Sequence, residues 1–297
     1  MKKAGPRADR TRWGVLFALP VCVLIAVFVL IPIVYVFHLS MFDWKIPQPM
    51  KFIGFEGYAR VLKDKMFWNA IGVNFRFMLW GVVLWTVVPL LAATCLYEIR
   101  RGAGFFRATF LFPTVLSVTI IGIVFKTLFG LNGPINLTLR AVGLDALALD
   151  WFGSRTTAIP IIALVMTWAG FGSCMMIFLS AMSSIDKAIF ECAMLDGANW
   201  WTRTFRITVP IIRPTFVVVV VMNIIAAFSG LYSYVFTMTG GGPGYDTTIM
   251  EYYIYTNAFR SFEFGYASTL SVVMFVVVGL ISIVSMRLGN QRDHAGE

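Results

Sequence analysis

Residues 183–213 form a short polar segment between two long apolar stretches, and their types suit contact with another protein better than catalysis. Small residues crowd one part of this segment, hereafter the 183–213 loop, namely Cys192, Ala193, Gly197 and Ala198. Small side chains allow another protein surface to approach closely, as a docking element requires. Gly197 also permits the positive φ of a sharp turn. A solvated loop that merely joins two helices is the alternative interpretation.

The local pattern predicts two short helices within the 183–213 loop. Ser184 is the expected cap of the first helix, residues 187–195, and the second covers residues 200–208. Three side chains recur on one face of the second helix at helical spacing: Trp201, Phe205 and Thr208. Pro210 and Pro214 fit the first turn of the apolar helix that follows. The segment is therefore predicted to be compact rather than linker-like.

Residues for catalysis or metal binding are not grouped anywhere in this sequence. It holds two His and four Cys without metal-ligand spacing, and it lacks the Gly-x-x-x-x-Gly-Lys-Ser/Thr loop that binds nucleotide phosphates. No His, Asp and Glu cluster occurs in an apolar stretch, which argues against a membrane enzyme and against a carrier coupled to protons or sodium. We therefore predict no catalytic residue and no metal site, and read the cysteines as packing thiols.

The composition identifies the class of protein that must position the 183–213 loop. Only 13% of the 297 residues are charged and 59% are hydrophobic, whereas soluble domains average roughly 25% charged residues. The net charge is +9, but Lys and Arg lie between apolar stretches rather than along one face. This distribution favours orientation in a membrane over binding to nucleic acid. The composition predicts an integral membrane protein that contacts lipid.

Six apolar stretches approach or exceed the roughly 20 residues that a spanning helix needs. The predicted spans are about 14–38, 77–97, 108–128, 157–182, 214–237 and 265–286. The first stretch is too long for a cleaved signal peptide. Because 14 of the 24 Lys and Arg residues fall on the side of the N-terminus, we expect residues 1–12 and 287–297 to be cytoplasmic tails. The expected fold is an all-α membrane protein with a cytoplasmic 183–213 loop.

The 183–213 loop resembles the "EAA" signature of permease subunits of ABC importers, with every spacing of that signature matched. The matching positions are Glu191, Cys192, Ala193, Asp196, Gly197, Ala198, Ile207 and Pro210. Cys192 stands in place of Ala and Val209 in place of Leu, and both replacements keep size and polarity roughly unchanged. The resemblance implies that these residues couple the chain to a separate ATPase.

Other segments are similar to the carbohydrate-type members of that family, of the maltose, lactose and glycerol-phosphate class. They include Gly240–Pro243, the run Gly265–Leu270, Phe112-Pro113 and Gly133–Asn136. The similarity covers about residues 15–286 and implies the compact six-helix version of the type I ABC importer permease fold, residues 13–286.

The resemblance also implies partners and a mechanism. A second six-helix permease would complete the path, two ABC ATPase subunits would hydrolyse ATP, and an extracytoplasmic solute-binding protein would deliver the solute. ATP and Mg²⁺ would bind the partner ATPase, and no cofactor would bind this chain. The implied location is the cytoplasmic (inner) membrane of a bacterium or archaeon, where the chain moves a sugar, polyol or glycerol phosphate inward by alternating access.

Sugars are bound by aromatic faces and by hydroxyl or amide groups, so we sought both on the spans that flank the 183–213 loop. The candidates are Trp168, Gly170, Ser173, Asn223, Phe228, Ser229, Leu231 and Tyr232. Gly170, Ser173, Phe228 and Leu231 match sugar-contacting positions of the maltose-type permease, although three of them differ in residue type. Helix packing is the alternative role for each of the eight. An ABC permease for a non-sugar solute and a self-sufficient secondary carrier remain alternative functions.

Overall fold

The computed structural model describes residues 6–99 and 101–290, with side chains for residues 16–99 and 101–287. Within that part the structure is almost entirely helical and contains one two-stranded hairpin. Four helices are long and apolar enough to cross a membrane. The number rises to six if two bent pairs each count as one span, namely Ala103–Val115 with Val118–Leu128, bent by 96°, and Trp200–Ile211 with Arg213–Ser229, bent by 82°. The all-α membrane fold is confirmed.

The spans of the structure are defined here by their helices. The first comprises Pro6–Ile25, Ala26–Leu30 and Ile31–Leu39; the second Lys65–Val82, Val83–Val87 and Val88–Glu98; the third Ala103–Leu111, Phe112–Val115 and Val118–Leu128; the fourth Ala158–Met182; the fifth Arg213–Ser229 and Tyr232–Met238; and the sixth Phe264–Asn290. Ala26–Leu30 and Val83–Val87 are π-helical turns, and Phe112–Val115 is a 3₁₀ turn.

The connecting segments are also largely helical. Between the first two spans lie the strands Phe42–Asp43 and Lys51–Phe52 and the helix Glu56–Lys63. Between the later spans lie Pro134–Ala141, Asp145–Leu147, Lys187–Leu195, Trp200–Thr202, Arg203–Thr208, Val209–Ile211, Met250–Tyr255 and Thr256–Arg260. The polar connectors are therefore ordered by helices of their own rather than extended across the surface.

One of two compact units consists of the chain up to residue 63 together with residues 254–275. Its two strands pair antiparallel, with Phe42 opposite Phe52. The Gly265 amide donates to the Trp44 carbonyl at 3.1 Å, and a Cβ on this glycine would lie 2.0 Å from the Phe42 carbonyl oxygen. A glycine at position 265 is therefore required for the hairpin to pack against the start of the sixth span.

The other unit consists of residues 64–253 and those after 275. Its apolar core is formed by the second, fourth and fifth spans, with Leu90, Phe178 and Val219 all buried. The Trp85 indole donates to the Ala163 carbonyl at 3.1 Å and links the second span to the fourth. Gly172 allows a close crossing, because a Cβ there would lie 2.2 Å from the Phe110 carbonyl oxygen. This unit contains the 183–213 loop and all candidate path residues.

Two predicted spans are not straight helices. The third bends by 96° between Val115 and Val118, after the proline at position 113. The fifth helix is interrupted at Gly230 and resumes at Tyr232. Residues 6–12 of the predicted N-terminal tail belong to the helix Pro6–Ile25, and residues 287–290 of the predicted C-terminal tail belong to the helix Phe264–Asn290. The rest of both tails, residues 1–5 and 291–297, lies outside the described residues.

Candidate functional site

The first helix of the 183–213 loop occupies Lys187–Leu195, as predicted. Its cap is Asp186, whose carboxylate accepts from the Ala188 amide at 3.0 Å. The prediction of a Ser184 cap is wrong, because the Ser184 hydroxyl donates to the Ala181 carbonyl at 2.7 Å and so belongs to the end of the fourth span. The negative charge of Asp186 also suits the positive end of the helix dipole.

The helix ends in a Schellman turn, which closes the backbone without outside help. Gly197 has φ +78°, a conformation that side chains disfavour. Its amide donates to the Met194 carbonyl at 3.1 Å, and the Ala198 amide donates to the Ala193 carbonyl at 2.9 Å. These two bonds are the pair that defines the motif. The predicted turn at Gly197 is confirmed, and the angle between the two short helices is set by local bonds.

The second helix starts at Trp200 and is capped by Asn199, whose side chain accepts from the Thr202 amide at 2.9 Å. Trp201 and Phe205 stack with their ring centroids 5.8 Å apart, and both are exposed. Thr208 is 2% exposed and therefore does not share their face. That part of the prediction is wrong because Arg203–Thr208 is a π-helical turn, which shifts later side chains around the axis.

The eight residues of the signature divide by exposure. Glu191, Cys192, Asp196, Gly197 and Pro210 are exposed, Ala198 and Ile207 are partly buried, and Ala193 is buried. Glu191 and Asp196 form no ion pair with another described residue. The loop thus presents free carboxylates beside exposed apolar side chains, of which Leu195 is 88% exposed.

The loop is tied to the inner end of the second span by contacts that the sequence did not reveal. The Arg203 guanidinium lies 2.5 Å from the Glu98 carboxylate and also donates to the Ala198 carbonyl at 3.2 Å. Nearby, the rings of Tyr97 and Phe190 are 5.6 Å apart. No local signal could pair residues about one hundred positions apart.

A cavity of about 360 Å³ lies between the second, third, fourth and fifth spans. Three predicted path residues line it, Gly170, Ser173 and Asn223. Its remaining polar lining includes the side chains of Thr114, Thr167, Trp85 and Tyr234. The cavity therefore offers aromatic surface together with hydroxyl and amide groups.

The other predicted path residues do not line this cavity. Phe228 and Leu231 are 1% and 0% exposed and pack within the chain, whereas Trp168 and Ser229 are exposed and Tyr232 is partly buried. Asn223, which does line the cavity, donates to the Thr86 hydroxyl at 3.0 Å. The amide of Asn223 thus joins the fifth span to the second as well as facing the cavity.

The break in the fifth span is closed by two distant side chains. One carboxylate oxygen of Glu251 accepts from the amides of Leu231 and Tyr232 at 3.0 and 2.8 Å. The fully buried Asn74 donates to the Ala227 carbonyl at 2.8 Å, and its carbonyl oxygen accepts from the Met250 amide at 2.9 Å. Neither Asn74 nor Glu251 was predicted from the sequence as a functional residue. The signal for Asn74 is an amide side chain in the largely apolar helix Lys65–Val82, with which the second span begins.

Among the described residues, no group of three or more His, Cys, Asp or Glu side chains is arranged to hold a metal ion. The polar groups of this chain serve instead to join helices, to line the cavity and to shape the exposed loop.

Residues 86–292 match the family model described as the binding-protein-dependent transport system inner membrane component. A probable ABC transporter permease protein of Bacillus subtilis (strain 168) is 32% identical over 92% of this chain and 94% of its own length. The lactose transport system permease protein of Rhizobium radiobacter is 31% identical, with 94% of each chain covered.

The fold has a counterpart among solved structures. A chain of a bacterial alginate ABC transporter, in complex with an alginate pentasaccharide-bound periplasmic protein, superposes with a TM-score of 0.83. The superposition covers 96% of both chains at 22% identity, so it supports the fold alone. Taken with the family match over the second to sixth spans, these likenesses show that the chain belongs to the inner-membrane permease components of binding-protein-dependent ABC transport systems.

Proposed function

We propose that this permease carries a sugar, or a related polyol or glycerol phosphate, into the cytoplasm by alternating access driven by a separate ATPase. The observation that carries the proposal is the exposed 183–213 loop, whose two capped helices and self-closed turn form a rigid projection. The Leu195 side chain is 88% exposed and the Trp201 side chain is 59% exposed. Contact with a partner surface would bury these apolar side chains.

The proposed partner at this loop is an ABC ATPase. Glu191 faces a basic group on the ATPase, and the apolar residues of the first helix enter a groove beside it. The Glu191 and Asp196 carboxylates are exposed and form no ion pair within the described part of the chain, which supports this arrangement. ATP and Mg²⁺ bind the two ATPase subunits, and this chain needs no cofactor.

The proposed path runs through the cavity between the second, third, fourth and fifth spans. Its volume of about 360 Å³ and its mixture of indole, phenol, hydroxyl and amide groups suit part of a carbohydrate. Gly170, Ser173 and Asn223 are its path-lining residues, and a second six-helix permease supplies the opposite wall. The lactose transport relative, 31% identical with 94% of each chain covered, supports a carbohydrate over other solutes.

The remaining partners and the orientation follow from the same proposal. An extracytoplasmic solute-binding protein delivers the solute to the face opposite the 183–213 loop. Both termini and this loop lie in the cytoplasm, where the ATPases are found. The excess of Lys and Arg beside the inner ends of the spans supports this orientation.

Affinity purification from mild detergent, followed by mass spectrometry, tests the proposal. We expect a second permease and an ATPase to accompany the tagged chain, and the binding protein encoded with them to select carbohydrates in a ligand screen. A binding protein that retains amino acids or inorganic anions would instead favour a non-sugar solute. Uptake by the purified chain alone would establish a secondary carrier.

A further inference from the structure

The inner end of the second span forms a joint with the 183–213 loop, and this joint carries an inference that rests on the proposed function. Arg203 is held from two directions. Its guanidinium lies 2.5 Å from the Glu98 carboxylate and donates to the Ala198 carbonyl at 3.2 Å. Only 16% of the Arg203 side chain is exposed, whereas 47% of the Glu98 side chain is exposed, so the guanidinium is covered while its partner carboxylate stays open to solvent.

The two partners of Arg203 belong to different structural elements of the chain. Glu98 is the last residue of the second span, and Ala198 follows the turn between the two loop helices. One rigid guanidinium therefore fixes the turn relative to the span. Arg is suited to this task because its planar donors stay aligned with two acceptors at once.

An apolar contact runs beside the ion pair. The rings of Tyr97 and Phe190 are 5.6 Å apart, and Phe190 packs against the buried core that contains Leu96 and Ile185. Polar and apolar contacts thus join the same two elements. A displacement of the loop helices would move the inner end of the second span with them.

The second span leads from this joint directly to the cavity. Pro89 and Trp85, on the same span as Glu98, form part of the cavity wall. The span also contains the π-helical turn Val83–Val87, where the Trp85 carbonyl accepts from the Cys174 thiol at 3.2 Å. The wall of the path is therefore connected to the loop through the second span, in addition to the connection through the fourth and fifth spans.

We propose that Arg203 and Glu98 are positioning residues that deliver the ATP-driven movement of the 183–213 loop to the second span and hence to the solute path. Neither residue touches ATP or solute. Their loss would uncouple hydrolysis from transport while leaving the exposed docking surface of the loop in place.

A charge exchange tests the proposal in the complete transporter, reconstituted with its partner permease, ATPases and binding protein in proteoliposomes. The variants are Arg203→Glu, Glu98→Arg and the double exchange. Three quantities are measured for each: ATPase recovered with the permease, ATP hydrolysed, and radiolabelled solute imported per ATP. The matched control is Arg101→Glu, because Arg101 is exposed at the same end of the second span and has no role in the joint.

Each single exchange places like charges together, so solute imported per ATP should fall about tenfold while ATPase recovery stays within about twofold of the unsubstituted protein. The double exchange should restore the ratio to within about threefold, and Arg101→Glu should leave it unchanged. Arg203→Gln, which removes charge without repulsion, should give a smaller loss.

Unchanged import per ATP in both single variants would contradict the proposed role of Arg203 and Glu98. A double exchange whose import per ATP is no higher than that of the single variants would contradict it as well. Loss of ATPase recovery in Arg203→Glu would assign Arg203 to docking rather than to the joint. Failure of the unsubstituted chain to bind any ATPase would instead defeat the proposed function itself.

Discussion

Two interruptions of helical structure in the same unit are stabilised in opposite ways. At Gly197 the chain turns between the two loop helices, and every bond that closes the turn comes from residues within five positions. At Gly230 the fifth span breaks, and its free backbone groups are satisfied by Asn74 and Glu251 from other helices. The first interruption is self-contained, whereas the second exists only while its neighbours stay in place.

The difference suggests different tasks for the two regions. A turn closed by its own backbone keeps its shape when the spans move, so it can serve as a rigid docking element for a partner protein. A break closed by distant side chains changes shape whenever those helices shift, since an unpaired backbone group in an apolar region is costly. In this account the loop transmits movement and the broken span responds to it.

The largest effect is expected at the self-contained turn. Gly197→Asp should abolish ATP-driven uptake while leaving the protein inserted in the membrane, because it disfavours the positive φ and adds charge to the docking surface. Uptake of radiolabelled solute by membrane vesicles measures this effect.

Gly102→Asp is the matched control for Gly197→Asp. Gly102 has φ +82° and, like Gly197, open space around the position of a Cβ, but it lies outside the 183–213 loop. We expect uptake to persist in this variant. Equal losses at both glycines would mean that backbone strain alone, and not docking, explains the effect.

The second largest effect is expected at the break. Asn74→Ala leaves the Ala227 carbonyl and the Met250 amide unpaired, so the free energy of unfolding should fall by about 2–5 kcal/mol. Thermal unfolding in detergent provides the measurement. Asn69→Ala serves as control because the Asn69 amide donates only to the Tyr245 carbonyl near the surface, and its loss should cost far less. An equal decrease in the free energy of unfolding for the two variants would contradict the special role of Asn74.

A smaller effect is expected for the second side chain at the break. Glu251→Ala removes the acceptor for two amides and should lower the free energy of unfolding by about 1–3 kcal/mol. Glu251→Gln keeps an acceptor oxygen and should recover most of that loss in the same unfolding experiment. If Gln were as destabilising as Ala, the charge of Glu251 rather than its capping bonds would be responsible.

The smallest effect is expected at the cap of the first loop helix. Asp186→Ala removes one bond to the Ala188 amide and should cost about 1 kcal/mol. Because the turn at Gly197 is closed by its own backbone, amide hydrogen exchange should accelerate in residues 187–195 and remain unchanged in the fifth span. Acceleration in both regions would show that the two interruptions are not independent.

The same contrast explains how far the sequence could predict this structure. The helix Lys187–Leu195 and the turn at Gly197 were predicted because their signals lie within a few residues. The prediction of a Ser184 cap was wrong because the carboxylate of Asp186, two residues later, accepts from the Ala188 amide. The prediction that Trp201 and Thr208 share one helix face was wrong because a π-helical turn has no distinct period in the sequence.

Features that depend on distant residues were beyond the sequence. The break at Gly230 is held by Asn74, about 150 residues earlier in the chain, and the joint of Arg203 with Glu98 links residues about one hundred positions apart. The 96° bend of the third span has a local signal in Pro113, but a proline alone does not fix the angle. The cavity arises only when four spans pack together.

The central claim is that the exposed 183–213 loop contacts an ATPase, and Cys192 allows it to be tested in place. In a chain in which Ser replaces Cys22, Cys95 and Cys174, Cys192 on the loop is the remaining thiol, and it is exposed. A photo-crosslinker attached to this thiol in membranes, followed by mass spectrometry of the adduct, reports which protein lies against the loop. The account predicts an adduct with the ATPase that disappears in Cys192→Ser. A transport-competent complex whose crosslinks reach only lipid or the partner permease would contradict it.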